Sequence, residues 1–374
     1  MPRLLVLCCL ALLLVVPAMA QVIPTDKGPV RVVTVARGLE MPWAIAFLPD
    51  GRLLVSERPG RLRIVANGAL SPPLAGLPAV YDNGQGGLLD LALDPDFAAN
   101  QWVYFSYAEP GAGGAGTAVA RGRLNETAVG VAGLSDVQVL FRQQPKLSGG
   151  LHFGSRLAFD RAGFLFIGLG ERYRRDEAQN PGNHLGKLLR LHADGRVPQD
   201  NPFIGQAGFM PEIFSLGHRN IQGLTRHPET GAIWLHEHGA QGGDEVNLPL
   251  PGRNYGWPII THGVDYSGAK IGIGSARDGL EQPVLHWTPS IAPAGMAFYS
   301  GDKFPAWRGN LFAGSLKFRS LYRVELDGTR FVRDEAMLKP VGENIRDVRV
   351  GPDGLIYLAT DNPEGRILRL EPVN

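Results

Sequence analysis

Leu157-Ala158-Phe159-Asp160-Arg161-Ala162-Gly163-Phe164-Leu165-Phe166-Ile167 is a short apolar strand, an Asp/Gly turn and a second apolar strand leaving it. The pattern recurs six times. Strands ending at Phe47, Leu93, Phe159, Arg226, Phe298 and Val350 run into LPDG, DPDF, DRAG, HPETG, YSGD and GPDG. Repeats of one supersecondary unit cannot bury their apolar faces alone, so they stack or close around an axis. Apolar runs are short and alternating, glycine and proline are plentiful, and long helical periodicity is lacking, so the chain reads as all-β. Six units of this length predict a six-bladed β-propeller of four-stranded antiparallel blades, with the longer intervals between Leu93 and Phe298 leaving room for inserted loops. Val30 to Val35 and Arg366 to Leu370 are strand-like segments near the two ends. Together they can complete one blade and remove an exposed edge.

Residues 1–20 read as a secretory signal: Arg3 gives the positive start, Leu4 to Val16 the apolar stretch, and Pro17-Ala18-Met19-Ala20 the small-residue cleavage pattern. An apolar run this short falls below the roughly 20 residues that span a bilayer. Both cysteines, Cys8 and Cys9, lie inside it, so a processed chain has none and depends on its core. Residues 25–374 show no linker and read as one domain, exported to the periplasm or secreted. With 37 basic and 36 acidic residues the chain has no broad field for nucleic acid or an anionic membrane, and any anion site must be a local cluster.

Seven or eight positions before three of the repeat ends stand Gln85, His152 and Arg219. Equivalent registers face a common axis, which brings these three together from distant segments. His152 has glycines on both sides and is the general-base candidate; Arg219, beside Asn220 in Gly217-His218-Arg219-Asn220-Ile221-Gln222-Gly223, suits an oxyanion or carboxylate. Glu237 to Asn247 combines hard oxygen donors with a glycine-rich backbone, which fits Ca²⁺ better than a zinc site on His236 and His238. Gly111 to Gly116 formally matches a dinucleotide fingerprint, but the following TAVARGRL is strand-like, so the segment reads as a hairpin tip. There is no G-x-S-x-G elbow and no H-E-x-x-H.

Gln85-Gly86-Gly87-Leu88-Leu89-Asp90, the His152 loop, the Arg219 segment, Asp244-Glu245-Val246-Asn247 with Asn254-Tyr255-Gly256-Trp257-Pro258, and Ile345-Arg346-Asp347-Val348 resemble, in this order, the soluble quinoprotein sugar dehydrogenases dependent on pyrroloquinoline quinone (PQQ). The resemblance runs from about Met41 to Arg366. It implies oxidation of aldoses at the anomeric carbon, with His152 as base, Arg219 at the reacting centre, and electrons passed to an external acceptor. It implies cofactor contacts from Gln85, Arg219, Asn220, Tyr266, Lys317, Phe318, Arg319, Arg346, Asp347 and Val348. The carbonyls of Gly239 and Ala240 correspond to ligands of the Ca²⁺ that holds the quinone, and Glu245 and the Tyr255 carbonyl to ligands of a second Ca²⁺. Two departures stand out: Asn344 occupies the place of a family arginine, and Ala240 that of a proline. The partners implied are a small aldose and the acceptor, with a monomer or weak dimer and neither nucleic acid nor membrane. The competing readings are a Ca²⁺-dependent propeller lactonase and a secreted binding module without chemistry.

Overall fold

The computed structural model describes residues 20–127 and 130–373. The candidate leader and its cysteines lie outside the described residues, apart from Ala20. Among the described residues no helix is long and apolar enough to cross a membrane.

Six antiparallel sheets form a six-bladed β-propeller. The inner strands are Pro42–Phe47, Leu88–Leu93, Gly154–Phe159, Ile221–Arg226, Pro293–Phe298 and Ile345–Val350, so each ends at the residue just before its turn signal. Each packs against the next, and Ile345–Val350 packs against Pro42–Phe47 to close the ring. Closure is made by the two ends of the chain. Val30–Leu39 pairs antiparallel with Gly365–Pro372, Val30 opposite Pro372 and Val33 opposite Arg369. This blade departs from four strands: Gln21–Ile23 adds a fifth and covers the edge of Val30–Leu39. The Gly111 to Gly116 segment is a hairpin tip, with Gly111 opposite Gly114.

Sheet faces pack on one another through alternating apolar positions. Leu54, Leu62, Leu91, Val103 and Phe105 join the first two blades, and Phe312, Leu321, Val348, Leu358 and Leu368 the last two. Burying each such side chain contributes about 1.5–3 kcal/mol, and these interfaces hold a chain whose only two cysteines are Cys8 and Cys9.

A second sixfold repetition positions the site. Every inner strand has a register irregularity in its first turn, between Pro42 and Ala44, Leu88 and Leu91, Gly154 and Arg156, Ile221 and Gly223, Ala294 and Met296, and Ile345 and Asp347. A bulge re-aims the side chain at the break. Trp43, Gln222 and Arg346 stand at such breaks and line the axial cavity at the entry end of the inner strands. Just beyond, the axis is filled by Asp90, Arg156, Asp347 and Arg349. Arg156 Nη1 lies 2.8 Å from Asp347 and 3.3 Å from Asp90, and Arg349 lies 2.6 Å from Asp90 and 2.8 Å from Asp347. Two carboxylates and two guanidiniums cancel, so the plug satisfies its own charge.

Candidate active site

The entry ends of the inner strands carry the polar groups. Gln85 precedes the second inner strand, His152 the third, and Arg219 and Asn220 the fourth. The structure brings Gln85 and His152 into contact: the His152 amide donates to Gln85 Oε1 at 2.8 Å. His152 has a left-handed backbone, φ 52°, which turns its side chain inward from the glycine-rich loop. Its ring is buried. Nδ1 lies 2.6 Å from Glu171 Oε2, which also accepts the Tyr173 amide at 2.7 Å. A carboxylate there selects the tautomer with hydrogen on Nδ1 and leaves the Nε2 lone pair free. Burial pushes the imidazole pKa down; Glu171 opposes the shift, while Arg219 and Arg172 reinforce it. The ring is therefore neutral near pH 7 and able to accept a proton.

Glu171 reaches His152 because Gly170 lets the two segments touch. A Cβ there would stand 2.1 Å from the His152 carbonyl oxygen. Arg172 fixes the loop from behind, donating to the carbonyls of Leu151, Ala115 and Gly149 at 2.8, 2.8 and 2.6 Å.

Arg219 is buried and its amide donates to Glu237 at 2.5 Å. Nη1 donates to the His238 carbonyl at 3.3 Å, but Nε finds no hydrogen-bond partner among the described residues. Trp257, whose ring lies 5.3 Å from the Arg219 guanidinium, likewise has a buried Nε1 without a partner. Both line one recess with Ala240, Tyr173 and Tyr266. Unmet donors in a buried wall fit an anionic oxygen-rich group, because leaving them unpaired costs about 1–3 kcal/mol each. Asn220 is tied in place: Oδ1 accepts the Gly154 amide at 3.0 Å. Gln85, Asn220, Gln222, His238 and Arg346 face one cavity beside Trp43, and Arg346 is held by both oxygens of Asp361 at 3.2 and 3.1 Å.

The glycine-rich segment 238–243 joins two strands of the fourth blade at this same end. Asp244 organises it: Oδ1 accepts the Gly239 amide at 2.8 Å, and Oδ2 accepts Ser290 Oγ and the amides of Ile291 and Ala292. A Cβ on Gly239 would meet the Gly242 carbonyl oxygen at 2.1 Å, so only glycine allows the loop to fold back. Glu245 stands opposite Glu237 on the adjacent strand. Burial and the Glu237 charge raise the Glu245 carboxyl to about 8. Asn247 Oδ1 beside them is buried with no partner. Facing carboxylates with an unmet amide oxygen fit a hard cation. Tyr255 adjoins through His218, whose ring stacks on it at 4.8 Å and whose Nδ1 lies 2.8 Å from Glu237. Among the described residues no three His, Cys, Asp or Glu side chains converge, so an ion must draw on main-chain carbonyls as well. His236 and His238 direct Nε2 to the carbonyls of Gly295 and Pro293.

The other sequence candidates are more dispersed. Tyr266 is exposed at the recess rim. Lys317, Phe318 and Arg319 are exposed on the turn after Leu311–Ser315, with Lys317 Nζ 5.4 Å from the Phe318 ring, and their neighbour Leu316 lines the axial cavity. Asp347 belongs to the axial plug, and Val348 packs in an apolar interface between blades. Asn344 accepts the Asp361 amide through its carbonyl at 2.8 Å, behind Arg346. Sequence reading missed Glu171, Arg172 and Asp361. Glu171 stands two residues after the strand Phe164–Leu169, and that position was the available signal.

The family model for glucose/sorbosone dehydrogenase matches residues 39–369. The aldose sugar dehydrogenase YliI of Escherichia coli (strain K12) is 48% identical over 341 residues, covering 90% of this chain and 91% of that one. A crystal structure of a glucose dehydrogenase superposes with a TM-score of 0.88 at 54% identity, covering 90% of this chain and 98% of that one. The PQQ-bound form of an aldose sugar dehydrogenase from Streptomyces coelicolor superposes at 0.76 with 30% identity, covering 95% and 99%. The chain belongs to the glucose/sorbosone dehydrogenase family, the oxidoreductases of the soluble quinoprotein sugar dehydrogenase type.

Proposed function

We propose that the protein oxidises aldoses at the anomeric carbon to lactones, with PQQ as cofactor and Ca²⁺ as the ion that holds it. The quinone, when bound, supplies the hydride acceptor. His152 takes the proton of the anomeric hydroxyl at Nε2, because Glu171 holds the hydrogen on Nδ1 and stabilises the imidazolium that forms. Arg219 presents its unmet Nε–H to negative charge at the reacting centre. Asn220, Gln85 and Arg346 orient the cofactor from the axial cavity. Tyr266, Lys317, Phe318 and Arg319 close over it from the rim, while Asp347 and Val348 support Arg346 from its own strand.

The carbonyls of Gly239 and Ala240 hold the cofactor's Ca²⁺. Glu245 and the Tyr255 carbonyl hold a second, structural one. Export by the leader, residues 1–20, places the single domain of residues 25–374 in the periplasm or outside the cell as a monomer or weak dimer. Its electrons pass to an external acceptor there. The lactonase alternative needs axial carboxylates free for a metal; Asp90 and Asp347 are instead neutralised by Arg156 and Arg349.

The observation that carries this reading is the neutral His152 bonded to Glu171 in one buried site with the unmet Arg219 donor. The test is reconstitution of purified protein with PQQ and Ca²⁺, followed by dye reduction across an aldose panel. Activity that needs both additions supports the reading; activity with a nicotinamide cofactor, or none at full quinone occupancy, refutes it.

A further inference from the structure

The axial cavity contains a cation that neither the repeat registers nor the family resemblance singled out. Arg58 follows the strand Leu53–Glu57 and lines this cavity with Gln85, Asn220, Gln222 and Arg346. Its backbone is fixed on both sides, the amide donating to the Met41 carbonyl at 3.0 Å and the carbonyl accepting the Leu88 amide at 2.9 Å. Its aliphatic stem lies against Gly87, where an added Cβ would stand 2.5 Å from Arg58 Cγ. The side chain is thus seated by the second blade.

Its head group is not satisfied. Nε is buried without a hydrogen-bond partner among the described residues. Asp82 approaches Nε only to 3.9 Å and is 43% exposed. Arg346, the other cation in the lining, already has Asp361 as a bidentate partner, and the lining contains no acidic residue. A guanidinium in a wall of amides, its Nε unpaired and its acidic neighbour distant and exposed, recognises an anion, and its planar fork matches a carboxylate.

We infer that Arg58 is a cofactor-binding residue that pairs with a carboxylate of the quinone. The inference rests on the quinone reading above and adds a residue to it. The test is equilibrium binding of PQQ to the metal-loaded protein, read by tryptophan fluorescence, for wild type, Arg58→Gln and Arg58→Lys, repeated with the PQQ trimethyl ester. Arg58→Gln should weaken PQQ binding about 10- to 100-fold, the range for one charge-assisted hydrogen bond. Arg58→Lys, which keeps the charge but loses the fork, should fall between. The ester should bind wild type and variants alike, because it presents no carboxylate. Unchanged PQQ affinity in Arg58→Gln overturns the inference, and so does an equal loss for acid and ester, which marks a structural role. Should Arg58→Gln fail to fold, the Arg58→Lys comparison of acid with ester decides by the same criterion. Wild type that binds no PQQ removes the quinone reading and Arg58 with it, whereas tight wild-type binding unaffected by the variants rejects Arg58 alone.

Discussion

His152 and Glu171 meet at 2.6 Å in a buried pocket although a full inner strand and its partner separate them in sequence. Gly154–Phe159 runs down the axis, Phe164–Leu169 returns, and Glu171 emerges beside the residue that preceded the first strand. The hairpin therefore builds the pair. Glu171→Gln should lower turnover, because the amide oxygen held by the Tyr173 N–H still accepts the Nδ1 hydrogen but carries no charge to stabilise the imidazolium that forms. The check is kcat with PQQ binding measured alongside, which should change little.

The acid limb of kcat/KM should lie below the ordinary imidazole value of 6.5, since burial lowers the His152 pKa and only the neutral ring accepts a proton. Activity should be sustained as pH falls through 6.5 and decline below it. Because Glu171 raises this pKa, residual activity in Glu171→Gln should show the limb displaced to still lower pH. A pH profile from 4 to 8 checks both.

His236 is fully buried, and desolvation lowers its pKa from 6.5 to about 3. Between those values the unfolded chain binds a proton that the folded one refuses. Stability is then complete above 6.5 and lost as pH falls toward 3, by about 2 kcal/mol at pH 5 for one such group. Half-buried His238, whose pKa desolvation also lowers, acts in the same direction. Urea unfolding of His236→Gln at pH 7 and pH 5 should show a smaller loss than wild type, even if the variant is less stable at both.

Glu245→Gln should separate the two calcium roles. Burial and the Glu237 charge already favour the protonated Glu245 in the metal-free protein near neutral pH, so replacing it with the neutral amide should leave the metal-free melting point close to that of wild type. The rise in Tm on adding Ca²⁺ should shrink, because an ion bound only by the folded state stabilises by mass action. Turnover of fully loaded protein at moderate temperature should change much less. Calorimetry across a Ca²⁺ series, with activity in parallel, checks all three.

The architecture was legible because it is written locally. All six turn signals sit where an inner strand ends, and the strand-like ends at Val30 and Arg366 do complete one blade. Register also brought Gln85 and His152 together. What could not be read were partners defined across blades. Asp90, Arg156 and Asp347 fill the axis together, yet nothing near any of them in sequence marks the others as neighbours. Asp361 holds Arg346 from the next strand, and Arg58 enters its cavity only because Gly87 of another blade leaves room. The bulges were equally hidden, since register irregularities leave no pattern in apolar alternation and yet aim Trp43, Gln222 and Arg346.

The central claim is that His152 takes the anomeric proton as the C1–H bond breaks, and single-turnover reduction of PQQ in the reconstituted protein tests it most directly. Aldose carrying deuterium at C1 should reduce the bound quinone several-fold more slowly than the protiated sugar in wild type. In His152→Ala reduction should slow by about 10² to 10⁴ with quinone occupancy intact. Reduction by His152→Ala at the wild-type rate, or an isotope effect from deuterium at C2 and none at C1, would contradict the account.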